Sequence, residues 1–158
     1  MQLTQFSDYA LRTLIYLALR RDRLSTIEEI AAAYKISESH LTKVVHRLGK
    51  LGVAETQRGR HGGLRLGREP QDINIGWLFR QTEENLALVE CFDTAHNTCP
   101  IAPVCGLSIA LSEALKAFMS VLDRYSLADV THNPRDLMPF LGLDPATRFP
   151  AARPASAP

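Results

Sequence analysis

With 158 residues, 46% of them apolar, the chain can bury one ordinary core and a helical extension, leaving little room for a second, enzymatic domain; no enzyme activity is expected. The net charge of +1 hides an asymmetry, because residues 1–70 hold twelve Lys or Arg against seven Asp or Glu, and residues 71–158 hold six against ten. Basic residues gathered in one half are the footprint of a phosphate-binding surface, with solvated surface charge as the plainer alternative.

From Phe6 to Leu19, residues Phe6, Ala10, Leu14, Leu17 and Ala18 share one helical face, with Ser7 or Asp8 placed to cap its start. The apolar run Leu14 to Leu19 is far shorter than a membrane span and closes on Arg20 and Arg21. A soluble, cytoplasmic protein without membrane contact is expected. Ser25 to Glu29 offers a capping box in two registers, Ser25 with Glu28 or Thr26 with Glu29, opening a short helix that ends near Tyr34. After a brief turn Ser37 caps a third helix, in which Leu41, Val44, Val45 and Leu48 repeat at core spacing. Two short helices joined so tightly predict a helix-turn-helix. Val53 to Gln57 and Leu64 to Leu66 then read as strands around a glycine-rich turn, a β-hairpin wing.

Ile73 to Gln81 reads as a further helix, followed by a polar, proline-containing loop. From Leu107 to Tyr125, residues Leu107, Leu111, Ala114, Phe118, Val121 and Tyr125 step by four and three, a long helix with more apolar face than a small domain can cover. A partner copy is expected on it. The organisation expected is a winged helix-turn-helix over 1–70, a loop and dimerisation helix over 71–130, and a disordered Pro-Ala tail over 131–158. The fold class is mainly α with a small β-hairpin.

With the apolar face of the third helix turned inward, Ser39, His40, Thr42, Lys43, His46 and Arg47 lie outward. These small donors and cations suit base edges and phosphates of double-stranded DNA in the major groove. Arg58, Arg60, His61 and Arg65 stand on the hairpin, whose glycines permit close approach to a nucleic-acid strand. A helix-turn-helix followed directly by a basic hairpin favours DNA binding over a merely solvated face.

All three cysteines, Cys91, Cys99 and Cys105, fall within fifteen residues. An odd count fits a cytosolic metal or redox site better than a disulfide framework. Iron-sulfur clusters and zinc both need such thiolates, and spacing does not separate them. His96 is the nearest fourth ligand for zinc; Glu90, Asp93 or the distant Asp8 are oxygen candidates. An acidic residue at the first turn of a helix is also favoured by the helix dipole alone.

These pieces together resemble the Rrf2 family of winged-helix iron-sulfur regulators, and within it the nitric-oxide-sensitive repressors. The likeness covers roughly residues 1–130 and rests on Met1 to Arg12, Ile36 to Val44 in the reading helix, Arg58 to Gly63 in the wing, and the three cysteines before a long helix. The resemblance implies a homodimer through that helix and one iron-sulfur cluster per subunit, 4Fe-4S or 2Fe-2S. It also implies a non-cysteine ligand from the start of the partner's first helix, and the matching residue is Asp8. The family's cluster-biogenesis regulators carry a histidine shortly after the third cysteine, where this chain has Gly106-Leu107-Ser108. The implied mechanism is repression at a pseudo-palindromic operator, released when nitric oxide attacks the cluster, so that nitrosative-stress genes are expressed. The alternative reading is a zinc-stabilised or thiol-redox-sensing DNA-binding regulator without a cluster.

Overall fold

A computed structural model describes residues 3–145 except 61, 84 and 94. The first helix, α1 (Gln5–Leu19), is capped by Thr4, whose hydroxyl accepts from the Ser7 N–H at 3.2 Å. The expected caps, Ser7 and Asp8, lie inside the helix because each has another partner. Ser7 is buried and donates to Thr82, and Asp8 receives Arg12 one turn on. Of the two possible capping boxes, Thr26 with Glu29 opens α2 (Ile27–Tyr34). That helix ends as Lys35 turns left-handed (φ 56°) and returns its N–H to the Ala31 and Ala32 carbonyls.

Ser37 stands at the N-cap position of α3 (Glu38–Lys50), but its hydroxyl pairs with that of Ser39 at 2.8 Å and makes no cap bond. Leu41, Val44, Val45 and Leu48 are all buried, as their spacing predicts. Strands β1 (Ala54–Gln57) and β2 (Gly63–Leu66) pair antiparallel, Ala54 opposite Leu66 and Gln57 opposite Gly63. Ser25, before α2, exchanges both backbone bonds with Leu64 (2.9 and 2.7 Å), which seats the hairpin on the helical domain. The turn needs glycine: Gly59 has φ +111°, and a Cβ on Gly62 would lie 2.3 Å from the Gln57 carbonyl oxygen.

After a 3-10 turn at Pro70–Asp72, α4 (Ile75–Thr82) begins behind the cap Asn74, two residues later than its periodicity implies. Ile73 is spent on the lead-in, buried and accepting the Leu127 N–H at 2.8 Å. Helix α5 (Gly106–Leu122) stops short of the expected Tyr125 because residues 123–125 bend back to α4. There Asn74 Nδ2 donates to the Asp123 carbonyl (2.8 Å), Ile75 N to the Tyr125 carbonyl (2.9 Å), and Arg80 forks onto the Asp123 carboxylate (2.6 and 2.7 Å). The guanidinium holds the Asp123 carboxyl below its ordinary pKa.

The short α6 (Leu127–Val130) and α7 (Pro134–Leu137), with a 3-10 turn at Met138–Leu141, complete the described chain. This corrects the expected tail at its beginning. Met138 and Leu143 are buried in the main core, because the apolar residues of 137–143 precede the Pro-Ala composition; residues 146–158 lie outside the described region. Leu14, Leu17, Ile30, Leu41, Leu48, Leu78 and Leu127 are fully buried in that core, each worth about 1.5–3 kcal/mol. The architecture is a winged helix-turn-helix with a long helix attached. Helix α5 departs from this pattern: only Met119 is buried, while Leu107 and Ile109 are 65% and 63% exposed.

The clasp between α4 and α5 makes a test. A Cβ on Gly76 would lie 2.0 Å from Asp123 Oδ1 and 2.9 Å from its backbone nitrogen. Gly76→Ala is expected to lower stability by about 1–3 kcal/mol in chemical unfolding, since the backbone must shift to admit the methyl.

Candidate functional site

Ser39, His40, Thr42, Lys43, His46 and Arg47 are all exposed on the side of α3 opposite its buried leucines and valines. Thr42 returns its hydroxyl to the Glu38 carbonyl at 2.9 Å. His40 stacks on Tyr9 of α1, ring centroids 6.3 Å apart. Arg47 is engaged by its own fold: Nε and Nη2 donate to the Gln81 carbonyl in α4 at 3.3 and 3.0 Å. On the wing, Arg58 and Arg60 are exposed at the turn, and Arg65 pairs across the hairpin with Glu55 at 2.7 Å. His61 lies outside the described residues. Arg68, which the sequence reading passed over, fixes the base of the wing: it donates to the Leu51 carbonyl (3.0 Å) and sits 5.4 Å from the centre of the Trp77 ring.

The three cysteines occupy the segment between α4 and α5. Cys91 lies in a 3-10 turn at Glu90–Phe92, Cys99 opens a turn in which its carbonyl accepts the Ala102 N–H (3.2 Å), and Cys105 is the N-cap residue of α5. All three are free thiols and half-buried. Glu90 accepts both the N–H and the hydroxyl of Thr98, at 2.5 and 2.6 Å. This holds the residue before Cys91 to the residue before Cys99, and the Thr98 bonds depress the Glu90 pKa. Cys91 also borders a cavity of about 430 Å3 with Ser108, Ser112 and Lys116 of α5.

The candidate fourth ligands each have a partner. Glu90 holds Thr98, Asp93 holds the His96 ring at 2.8 Å with that side chain 82% exposed, and Asp8 holds Arg12 at 2.8 Å. Among the described residues no three His, Cys, Asp or Glu side chains converge on a point that holds a single metal ion. In an iron-sulfur cluster the thiolates would be shared among two or four irons, so they need not meet at a single point. Three soft, half-buried thiols on one irregular segment match that donor chemistry.

A further set of contacts, with no marker in the sequence, lies where α4 ends. Ser7 donates to Thr82 in a buried hydroxyl pair (2.9 Å), and Thr4 gives both its N–H and its hydroxyl to Glu83 Oε1 (2.9 and 3.1 Å). With Arg47 on Gln81, the start of α1 and the end of α3 both attach to residues 81–83. These contacts border an open groove of about 580 Å3.

Comparison with known proteins places this geometry. The model of the Rrf2 family, described as an iron-dependent transcriptional regulator, matches residues 3–133. The chain belongs to the Rrf2 family. It is 54% identical over 142 residues to the HTH-type transcriptional regulator NsrR of Bacillus subtilis, covering 89% of this chain and 97% of that one. Its identity to the NsrR of Geobacillus kaustophilus is 53%, with the same coverage of both chains. Among solved structures, CymR, the global cysteine regulator of B. subtilis, superposes with a TM-score of 0.64 at 28% identity, over 84% of this chain and 97% of that one. These relatives are transcriptional regulators and not enzymes, and this Rrf2 member is a DNA-binding regulator of transcription. No helix among the described residues is long and apolar enough to cross a membrane.

Breaking the Glu90 clamp should loosen the cysteine segment. Glu90→Ala is expected to raise the reaction rates of Cys91 and Cys99 with a neutral disulfide reagent severalfold in the metal-free protein. Unchanged rates would show that the clamp does not hold these thiols.

Proposed function

We propose that this Rrf2 regulator is a cytoplasmic, homodimeric repressor in which Cys91, Cys99 and Cys105 hold an iron-sulfur cluster, 4Fe-4S or 2Fe-2S, one per subunit, and that nitric oxide relieves its repression. The observation carrying this reading is the position of the three half-buried thiols. They lie between α4, whose last turn is bonded to the reading helix, and α5, whose apolar face is open. The exposed Leu107 and Val121, on one face of α5, pack against a second copy, and Asp8 of the partner subunit completes the ligand set by giving up its bond to Arg12.

In this reading Ser39, His40, Thr42, Lys43 and His46 enter the major groove while Arg58, Arg60 and His61 of the wing follow the backbone of a pseudo-palindromic site. When bound, an iron-sulfur cluster supplies iron that nitric oxide binds at the expense of protein ligands. Asp8 would hold such a centre least firmly, a carboxylate being a poorer match to it than a thiolate, and its release would untie the two subunits. The cysteine segment then no longer fixes the spacing of the two reading heads. The zinc alternative needs His96, which is turned toward Asp93.

The test uses protein purified without oxygen and duplex DNA enriched from a random pool by that protein. Gel retardation is expected to fall as a nitric oxide donor is added, in step with bleaching of visible absorbance, and the Cys99→Ser protein is expected to lose that response. Retardation that persists unchanged, or a colourless protein carrying one zinc per chain, would contradict the proposal.

A further inference from the structure

Arg47 stands on the reading helix among groups suited to DNA, yet its guanidinium fork is spent on a carbonyl 34 residues away in sequence. That carbonyl, of Gln81, is among the last four of α4, which an α-helix cannot satisfy internally. A cation there also complements the negative end of the helix dipole. Directly beyond it, Thr82 and Glu83 hold Ser7 and Thr4 at the start of α1, and the chain then enters the cysteine segment. We propose that Arg47 is a positioning residue, which ties the reading helix to the end of α4 so that the state of the cysteine segment reaches the DNA-reading face through Gln81.

The inference rests on the function proposed above and deepens it by naming the joint. The structure supplies a short route. Displacing residues 81–83 moves the acceptor of Arg47 and the anchors of α1 together, and the open groove beside them, bordered by Phe6 and Arg80, leaves space for that displacement. The two-pronged bond also sets the residue requirement. A lysine serves a phosphate as a point charge but cannot reproduce the planar fork.

The experiment measures affinity for the enriched duplex and for a random duplex across a range of salt. It compares wild type, Arg47→Ala, Arg47→Lys, Lys43→Ala and Cys99→Ser, with Cys99→Ser also combined with each Arg47 variant, all purified without oxygen. Arg47→Ala and Arg47→Lys are each expected to bind the enriched duplex about tenfold more weakly while affinity for random DNA stays at the wild-type value. The slope of log affinity against log salt should stay at the wild-type value for both, whereas Lys43→Ala should flatten it by about 0.9. Adding Cys99→Ser to either Arg47 variant should cost nothing further, because the route is already cut.

A slope flattened by about 0.9 in Arg47→Ala, with Arg47→Lys behaving as wild type, would make Arg47 a phosphate contact and overturn the proposal alone. Additive losses in the combined variants would overturn it as well. Wild-type protein without salt-dependent DNA binding, or unaffected by Cys99→Ser, would overturn the underlying functional reading and the joint with it.

Discussion

The last turn of α4 is the contact on which the arrangement of the molecule depends. Three consecutive residues, Gln81, Thr82 and Glu83, receive the reading helix through Arg47 and the start of α1 through Ser7 and Thr4. A helix end leaves carbonyls unsatisfied, and here the tertiary structure uses one of them to seat another helix. The buried Ser7 and Thr82 hydroxyls satisfy one another, and Thr82 continues the chain of bonds to the Leu78 carbonyl. The other end of α4 is fixed in a complementary way. Asn74, joined by Arg80 from the last turn, grips the turn after α5, and Gly76 lets the two helices come close enough for that grip. Helix α4 therefore stands as a strut, with the long helix clasped to one end and the reading helix and α1 to the other.

This placement gives the cysteine segment its meaning. Its first residues follow directly from the strut, and its last cysteine stands at the N-cap position of α5. The three thiols sit between the helix-turn-helix and the helix whose apolar residues remain open. Half-burial suits the proposed role, since fully buried thiols would be shielded from a small diffusing signal and fully exposed ones would not bear on the packing around them.

Much of this was legible in the sequence, for physical reasons that differ by element. The buried face of α3 follows from the helical period, and its exposed polar residues follow by subtraction. The wing announces itself by glycines that the turn requires. Three cysteines in one segment mark a candidate site because that residue type carries metal and redox chemistry, and the structure places all three between α4 and α5. The Thr4 cap was not legible, since Thr4, Ser7 and Asp8 all offer capping oxygens and only the tertiary partners of Ser7 and Asp8 decide among them. Nor was the partner of Arg47, the Gln81 carbonyl. An exposed arginine on a reading helix looks the same in sequence whether its partner is a phosphate or a distant carbonyl, because every residue offers a carbonyl. The end of α5 and the packing of Met138 and Leu143 were hidden for the same reason, each being set by contacts remote along the chain.

Backbone amide hydrogen exchange on protein purified without oxygen, comparing wild type with Cys99→Ser, tests most directly whether the end of α4 joins the cysteine segment to the reading helix. The account predicts faster exchange at residues 82–83 and through the second half of α3 in the variant, with the strands of the wing unchanged. Acceleration confined to residues 85–105, with α3 exchanging as in wild type, would contradict it.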